Sequence, residues 1–312
     1  MSKRGQRRSL QSNPLKKLQE GIFKKILPEH YVHSKLIEFE KLDDDARLLW
    51  RDFQSYLASE REKILPQITE ALDAVSDLDF CFDNFSRIIG SQYSTQPLNA
   101  KGSYLLPPGG RFNIGQSISY SAYFPALYIA NNYKTAFAEK FSLKESGESQ
   151  NGLDALDFAL TKPGSFTHMR VKGVIKKVID LRENKVIESF YDSVSSISMP
   201  RIYTQRAKTL GISMAVVNSS DWLRDAIYDS KYQQWDYWLD QPSPSQWFAH
   251  YVRLSGIQGI IYKSVKEENG INLALFPENF EGTESFVELM DETDFVRKEL
   301  ARLDGSNFNK FI

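Results

Sequence analysis

The sequence predicts an α+β fold, in which a helical segment precedes one large domain. In the segment from about residue 34 to residue 74, apolar residues recur mostly at spacings of three and four, which is the period of an amphipathic helix. From about residue 79 onward, short β-type runs alternate with helical patterns and with Gly, Pro and Asn. A chain of 312 residues that is 41% hydrophobic has enough apolar side chains to bury the core of one large domain without disulfides.

The N-terminal part divides into an arm and a helical extension. Residues 1–33 begin with a basic run and are predicted to be a flexible arm, with a docking or nucleic-acid-contacting tail as the alternative. Residues 34–78 are predicted to form two helices, with their boundary at the acidic cluster Asp43–Asp45. We expect this extension to complete the core of the neighbouring domain; covering the functional site in cis is the alternative.

Residues 79–312 are predicted to form the α+β domain itself. Its strands are expected at Phe85 to Gly90, Ala126 to Ala130, Thr167 to Val171, Val174 to Leu181, Gly259 to Lys263 and Ile271 to Phe276. Its helices are expected near Asn131 to Leu143, Trp222 to Ala226 and Ser245 to Leu254. The polar stretch 144–152 and residues 183–244 are interpreted as surface insertions.

Composition limits the classes of function. A formal net charge of −1 gives no reason to expect nucleic acid or an anionic membrane as the main partner. The single cysteine, Cys81, excludes an intrachain disulfide and a Cys-rich zinc site, and a reducing cytoplasm fits best. No signal-peptide core and no membrane-spanning apolar run is present. His30 and His33 could share a helical face, but no cysteine lies near any of the four histidines, so no metal site is expected.

The stretch Gly109 to Gly115 places an arginine, Arg111, among glycines. Glycines let backbone N–H groups approach an anion closely, and a guanidinium adds a bidentate contact to phosphate. The same sequence is also compatible with an ordinary surface turn that contains a glycine-flanked arginine.

The next two elements offer an aromatic ring and a carboxylate. On the predicted strand 126–130, Tyr128 shares its face with two alanines, which leaves room for a flat ligand; core packing explains the pattern equally well. In the helix that follows, Glu139 borders the packed face and could point into a pocket, or it could be a solvated or lysine-paired charge. Ser264 ends the first strand of a predicted hairpin around residues 265–270, a position that suits either binding or a turn.

The order of these motifs resembles the RES family, named for its Arg, Glu and Ser. The family pattern is an early arginine on a strand, a G-G-R-[WF]-N turn, an A/V-L-Y-x-A strand, a t-A-x-x-E helix, an I/L-D-L strand and a closing G-I-x-Y-x-S … N-L-x-L-F. The counterparts here are Phe85 to Ile88, Gly109 to Asn113, Ala126 to Ala130, Thr135 to Glu139, Val178 to Leu181, Gly259 to Ser264 and Asn272 to Phe276. The resemblance covers about residues 80–280.

The resemblance implies a fold similar to ADP-ribosyltransferases and cleavage of the nicotinamide–ribose bond of NAD⁺, which is a substrate rather than a bound cofactor. Arg87 and Arg111 would hold the pyrophosphate or an attacking phosphate, and Tyr128 would stack on nicotinamide. Glu139 would stabilise the oxocarbenium-like ribose or orient the nucleophile. Ser264 would hydrogen-bond the ribose or hold Glu139.

Three functions remain open at this point. The first is an NAD⁺ glycohydrolase or phosphorylase, toxin-like and restrained by an Xre-type antitoxin. The second is a protein mono-ADP-ribosyltransferase, and the third is a non-catalytic ADP-ribose-binding or interaction module. The sequence does not separate water from inorganic phosphate as the acceptor, and it does not fix the oligomeric state, although a homo-oligomer is compatible with it.

Overall fold

The structure, a computed structural model, describes residues 36–105, 107–117, 122–141, 166–212, 214–239, 241–291 and 294–312. The predicted arm 1–33, which includes His30 and His33, and the polar stretch 144–152 lie outside the described residues. Within the described part of the chain, none of the helices combines the length and hydropathy needed to cross a bilayer.

The observed elements confirm the α+β class. The helices are α1 (Leu36–Lys63), α2 (Leu65–Asp73), α3 (Tyr133–Phe141), α4 (Asn184–Val194), α5 (Arg201–Leu210), α6 (Ser220–Ile227), α7 (Gln234–Leu239) and α8 (Pro244–Leu254). The strands are β1 (Asp77–Gly90), β2 (Leu127–Ala130), β3 (Phe166–Asp180), β4 (Gly259–Lys263), β5 (Ile271–Leu275), β6 (Phe286–Leu289) and β7 (Arg302–Asp304).

The helical extension contains two helices, but their predicted boundary is wrong. α1 continues through the acidic cluster at Asp43–Asp45, and the break falls at Ile64 instead. Pro66 lies in the first turn of α2, where a missing backbone N–H is tolerated, and in the interior of one long helix it would remove a hydrogen bond. The proline therefore sets the boundary.

Strand β3 joins two runs that the sequence separates. Gly173 interrupts the apolar pattern, yet β3 pairs with β1 on both sides of it, with a register shift beside it between Phe82 and Phe85 of β1. A Cβ at Gly173 would lie 2.7 Å from the Phe82 ring and would also overlap the backbone of β6. Glycine is needed here for close packing between strands and does not mark a turn.

The seven strands form one mixed sheet in the order β1-β2-β5-β4-β3-β6-β7, with an additional pairing of β1 with β3. The predicted hairpin is confirmed, because β4 and β5 pair antiparallel from Gly259 opposite Leu275 to Lys263 opposite Ile271. β3 and β4 are parallel. This arrangement brings the end of β2, the end of β4 and the start of β5 together at one end of the sheet.

The sheet separates two hydrophobic cores, and residues alternate between them along each strand. On β4, Ile260 and Tyr262 contribute to the core on the helical side, whereas Ile261 contributes to the opposite core. On β2, Tyr128 packs on the helical side and Leu127 on the other. Tyr128 therefore faces the helices, as does its neighbour Ala126.

Residues 183–244 do not form a surface layer. Val186, Phe190, Leu223 and Ile227 are completely buried in the core on the helical side. α6 was predicted as a helix near Trp222 to Ala226, whereas α4, whose apolar residues also recur at amphipathic spacing, was not. The segment thus supplies one wall of the domain.

The extension also contributes to that core. Ile68 and Leu72 of α2 are completely buried in the same cluster. α1 forms a third cluster, in which Phe53 packs with Trp235 of α7 and Ala207 of α5. These contacts match the core-completing role expected of the extension.

Candidate active site

The turn at residues 109–113 is formed by two glycines that are needed for different reasons. Gly109 has a φ of +84°, a conformation that favours glycine. A Cβ on Gly110 would overlap the Tyr128 hydroxyl and lie 2.6 Å from Asn113 Oδ1. The turn therefore packs directly against the side chain of Tyr128.

Asn113 and Gln246 fix the shape of this turn. Asn113 is completely buried; its Oδ1 accepts from Gly110 N–H and the Tyr128 hydroxyl, and its Nδ2 donates to the carbonyls of Ser103 and Phe124. Gln246 of α8 donates from Nε2 to three backbone carbonyls of the turn region. All hydrogen-bonding groups of the Asn113 amide are satisfied, so the turn is rigid.

Arg111 leaves the turn at its centre and is only 8% exposed. This burial rules out the interpretation of the motif as an ordinary surface turn. Nη1 donates to the carbonyls of Ile227 (3.0 Å) and Asp229 (2.8 Å), at the C-terminal end of α6, where the helix dipole is negative. Within the described part of the chain, Nε and Nη2 donate to no partner, so one edge of the guanidinium is open to a ligand.

Glu139, in the last turn of α3, is half-buried and has one oriented oxygen. Its Oε1 accepts from Ser264 Oγ and from Asn272 Nδ2, both at 2.7 Å. Among the described residues, Oε2 accepts no hydrogen bond. The carboxylate is thus held by one oxygen and available through the other.

The loop from β4 to β5 supports Glu139 from the other side. Ser264 Oγ, which donates to Glu139, also accepts from the backbone N–H groups of Lys266 and Glu267. Lys266 Nζ donates to the Glu139 carbonyl. Burial lowers the pKa of Lys266, with opposing effects from Glu139, which raises it, and Arg111, which lowers it further.

The two remaining residues of the prediction, Tyr128 and Arg87, have their polar groups engaged by the protein. The Tyr128 hydroxyl accepts from Phe112 N–H and donates to Asn113, and burial raises its pKa well above the usual range. Arg87 donates from all three of its nitrogens to backbone carbonyls, those of Pro97, Tyr128 and Asn99. Burial lowers its pKa to about 10.

Aromatic residues surround the charged groups. The Arg111 guanidinium lies over the Tyr232 ring, 4.8 Å from its centroid, and Phe112 packs edge-on to Tyr262 at 4.6 Å. Burial raises the pKa of Tyr262, and the nearby Glu139 carboxylate raises it further. The positive charge of Arg111 lowers it in turn, so both charged groups lie within electrostatic range of the same buried tyrosine.

The structure therefore brings Arg111, Tyr128, Glu139 and Ser264 together around β2, α3 and the β4–β5 loop. Arg87 contacts this group through the Tyr128 carbonyl. Of the roles that the resemblance leaves open for Ser264, the observed contact is the one with Glu139. Binding of a ligand by any of these side chains stays a prediction.

Sequence reasoning missed two polar residues of the site, Asn272 and Lys266. A polar signal was available for Asn272, because an asparagine within an otherwise apolar strand requires a buried partner. No signal pointed to Lys266, since a lysine in a polar loop is usually solvated. Tyr232 was hidden as well, because it lies in the segment interpreted as an insertion.

No group of three or more His, Cys, Asp or Glu side chains arranged as metal ligands occurs among the described residues. Residues 118–121, which include Tyr120, lie outside the described residues. Close to them in sequence, Phe124 is completely buried and Tyr123 stacks on Tyr104 at 5.6 Å.

The fold and the site define an α+β protein with one oriented carboxylate and one oriented arginine at the edge of a mixed sheet. Residues 187–298 match the family model of the RES domain, which confirms the family resemblance for this part of the chain. The matched range includes Tyr232, Ser264 and Asn272, and it begins within α4.

The chain is also similar to a chain in the crystal structure of the M. tuberculosis MbcT–MbcA toxin–antitoxin complex. The two are 14% identical, the alignment covers 78% of this chain and 96% of that chain, and the TM-score is 0.40. None of the curated proteins matches the chain.

Proposed function

We propose that this protein consumes NAD⁺ by cleaving the bond between nicotinamide and ribose. The observation that carries the proposal is the state of Glu139, whose Oε1 is fixed by Ser264 and Asn272 while Oε2 stays open. A carboxylate held in this way needs no reorganisation when positive charge develops on a neighbouring ribose. The RES-domain match supports the same reaction class.

The bond that breaks joins the ribose anomeric carbon to the pyridinium nitrogen. Its electron pair goes to nicotinamide, which leaves as a neutral molecule, so the reaction needs no strong acid. The ribose then carries oxocarbenium character, which the negative charge of Glu139 stabilises. An oxygen of water or of inorganic phosphate bonds to the anomeric carbon, and water as the nucleophile releases its proton to solvent.

Arg111 is assigned to the phosphates of NAD⁺ or to an attacking phosphate. Its Nε–H and Nη2–H edge can meet two oxygens of one phosphate, the bidentate geometry that arginine favours. The surrounding aromatic rings lower the local polarity, which strengthens such a contact.

Product analysis of the purified protein with NAD⁺ tests the reaction and identifies the acceptor. Nicotinamide with ADP-ribose indicates hydrolysis, and nicotinamide with phosphorylated ADP-ribose, formed only when inorganic phosphate is added, indicates phosphorolysis. Transfer of labelled ADP-ribose to protein would instead establish the transferase alternative. NAD⁺ that stays intact with the protein alone, with added inorganic phosphate and with added acceptor protein would contradict the proposal.

The proposal extends to biological context. An enzyme that drains NAD⁺ acts where that cofactor is shared, so the cytoplasm is its expected location, and its host must restrain it. An Xre-type antitoxin is the partner that the RES resemblance implies. Expression of the chain alone should stop growth and deplete NAD⁺, while Glu139→Gln should do neither; normal growth at full expression of active enzyme would contradict the toxin-like role.

A further inference from the structure

The segment from Tyr228 to Gln233, between α6 and α7, reaches the candidate site although it comes from the part of the chain first interpreted as an insertion. Its contact with the site is made by Arg111. Nη1 of Arg111 donates to the carbonyls of Ile227 and Asp229, at the start of the segment. The guanidinium carbon, Cζ, lies over the ring of Tyr232, near the end of the segment, at 4.8 Å from the ring centroid.

These contacts restrict the guanidinium from two sides. Both hydrogens of Nη1 are used by the two carbonyls, which fixes the direction of that nitrogen. The Tyr232 ring holds the guanidinium from a second direction through a cation–π contact. The Nε–H and Nη2–H edge stays open, so it is the edge of Arg111 that is available to a ligand.

The Tyr228–Gln233 segment is itself firmly held. Asp229 is buried, and its carboxylate accepts from Lys231 N–H, which closes a local turn. The Tyr228 hydroxyl donates to the Leu181 carbonyl just after β3. Beyond the segment, Trp235 is 4% exposed and packs in the cluster formed by α1. Tyr232 is therefore presented to Arg111 from a fixed position.

We propose that Tyr232 is a positioning residue, which orients Arg111 so that its open edge binds a diphosphate. This inference rests on the proposed function for the identity of the substrate. What it claims by itself is only that Arg111, oriented by Tyr232, binds a diphosphate. The guanidinium has no carboxylate partner among the described residues, and two carbonyls offset its charge only partly. A pair of anionic phosphate oxygens is a ligand that complements the open Nε–H and Nη2–H edge of such a cation.

The first arm of the test uses inorganic pyrophosphate as the probe and titration calorimetry as the readout. The wild-type protein should bind pyrophosphate, and Arg111→Gln should lose this binding. Tyr232→Leu removes the aromatic face and should weaken binding roughly 3- to 10-fold, the range of a partly desolvated cation–π contact. Tyr232→Phe keeps the ring and should restore wild-type affinity. Tyr93→Leu, at an exposed tyrosine, is the matched control.

The second arm asks whether Tyr232 acts through Arg111. In an Arg111→Gln background, Tyr232→Leu should cause no further loss of NAD⁺ turnover, because the contact that it supports is already gone. In the wild-type background, Tyr232→Leu should raise KM for NAD⁺ and leave kcat within about 3-fold, because the diphosphate group of NAD⁺ takes no part in the bond that breaks. Thermal unfolding of each variant checks that the fold persists.

The two proposals fail in different ways. Intact NAD⁺ in the presence of wild-type protein would contradict the proposed reaction, while the pyrophosphate titration would still test Tyr232. The inference is overturned by wild-type protein that does not bind pyrophosphate, by Tyr232→Leu binding as tightly as wild type, or by equal effects of Tyr232→Leu with and without the Arg111 guanidinium.

Discussion

Two regions of this molecule use buried polar groups in opposite ways. In the 109–113 turn and on β1, the side chains of Asn113 and Arg87 have their polar groups bonded to the protein itself. At the candidate site beside them, Glu139 and Arg111 are each fixed through one atom and open at another. Asn113 uses every hydrogen-bonding position of its amide and Arg87 uses every nitrogen to hold the protein's shape, whereas Glu139 and Arg111 each leave a polar atom available to a ligand.

The largest expected effect is at Glu139. Glu139→Gln keeps the shape and removes the charge, so NAD⁺ turnover should fall on the order of 10²-fold or more, with the melting temperature nearly unchanged. The exposed Glu268→Gln, in the β4–β5 loop, is the control and should stay fully active. Near wild-type turnover in Glu139→Gln would contradict the role proposed for Glu139 and would show that its open oxygen has no part in the reaction.

The two arginines give the most direct contrast. Arg111→Lys loses the open guanidinium edge, so the affinity for NAD⁺ should fall measurably in calorimetry while the fold persists. Arg87→Lys leaves backbone carbonyls unpaired and should cost about 1–3 kcal/mol of stability, measured by denaturant unfolding. An Arg87→Lys protein of wild-type stability but weakened NAD⁺ binding would instead support the anion-binding role that the family resemblance implies for Arg87.

Gly110, in the 109–113 turn, and Gly102, outside it, form a matched pair of positions for substitution by alanine. Gly110→Ala places a Cβ against Tyr128 and Asn113, so the turn must shift, at a cost of about 1–3 kcal/mol. Gly102→Ala meets no atom within 4 Å and should be nearly neutral. Thermal unfolding measures both. Equal melting temperatures for the two variants would show that the turn is more pliable than its hydrogen bonds indicate.

The smallest expected effect concerns His250, a partly buried residue of α8 that lies outside the candidate site. Among the described residues its Nδ1 has no hydrogen-bond partner, and burial lowers its pKa to about 4. Because the unfolded chain binds the proton more readily, the stability that neutral His250 provides is present above about pH 6.5 and is lost as the pH falls toward 4. His250→Gln should flatten the decrease in melting temperature between pH 7 and pH 4.5. An unchanged pH profile would mean that His250 does not contribute to acid sensitivity.

The sequence predicted the α+β class, the β4–β5 hairpin, α3, α6 and α8, because each has a clear apolar period between turn residues. It also indicated Arg111, Tyr128, Glu139 and Ser264 through the order of short motifs. It did not reveal that Gly173 lies inside a strand, since a glycine needed for close packing looks the same as one in a turn. Tyr232 and Asn272 could not be paired with Arg111 and Glu139, because contacts between distant segments leave no local pattern.

The strand order limits how this protein can be divided for expression. The stretch that matches the RES-domain model, 187–298, contains β4, β5 and β6. β4 and β6 each hydrogen-bond to β3, which ends at Asp180, before the matched stretch begins. A recombinant fragment cut at those boundaries would expose the unpaired edges of a hairpin and of an isolated strand, which are templates for aggregation. Fragments for expression should therefore begin before β1.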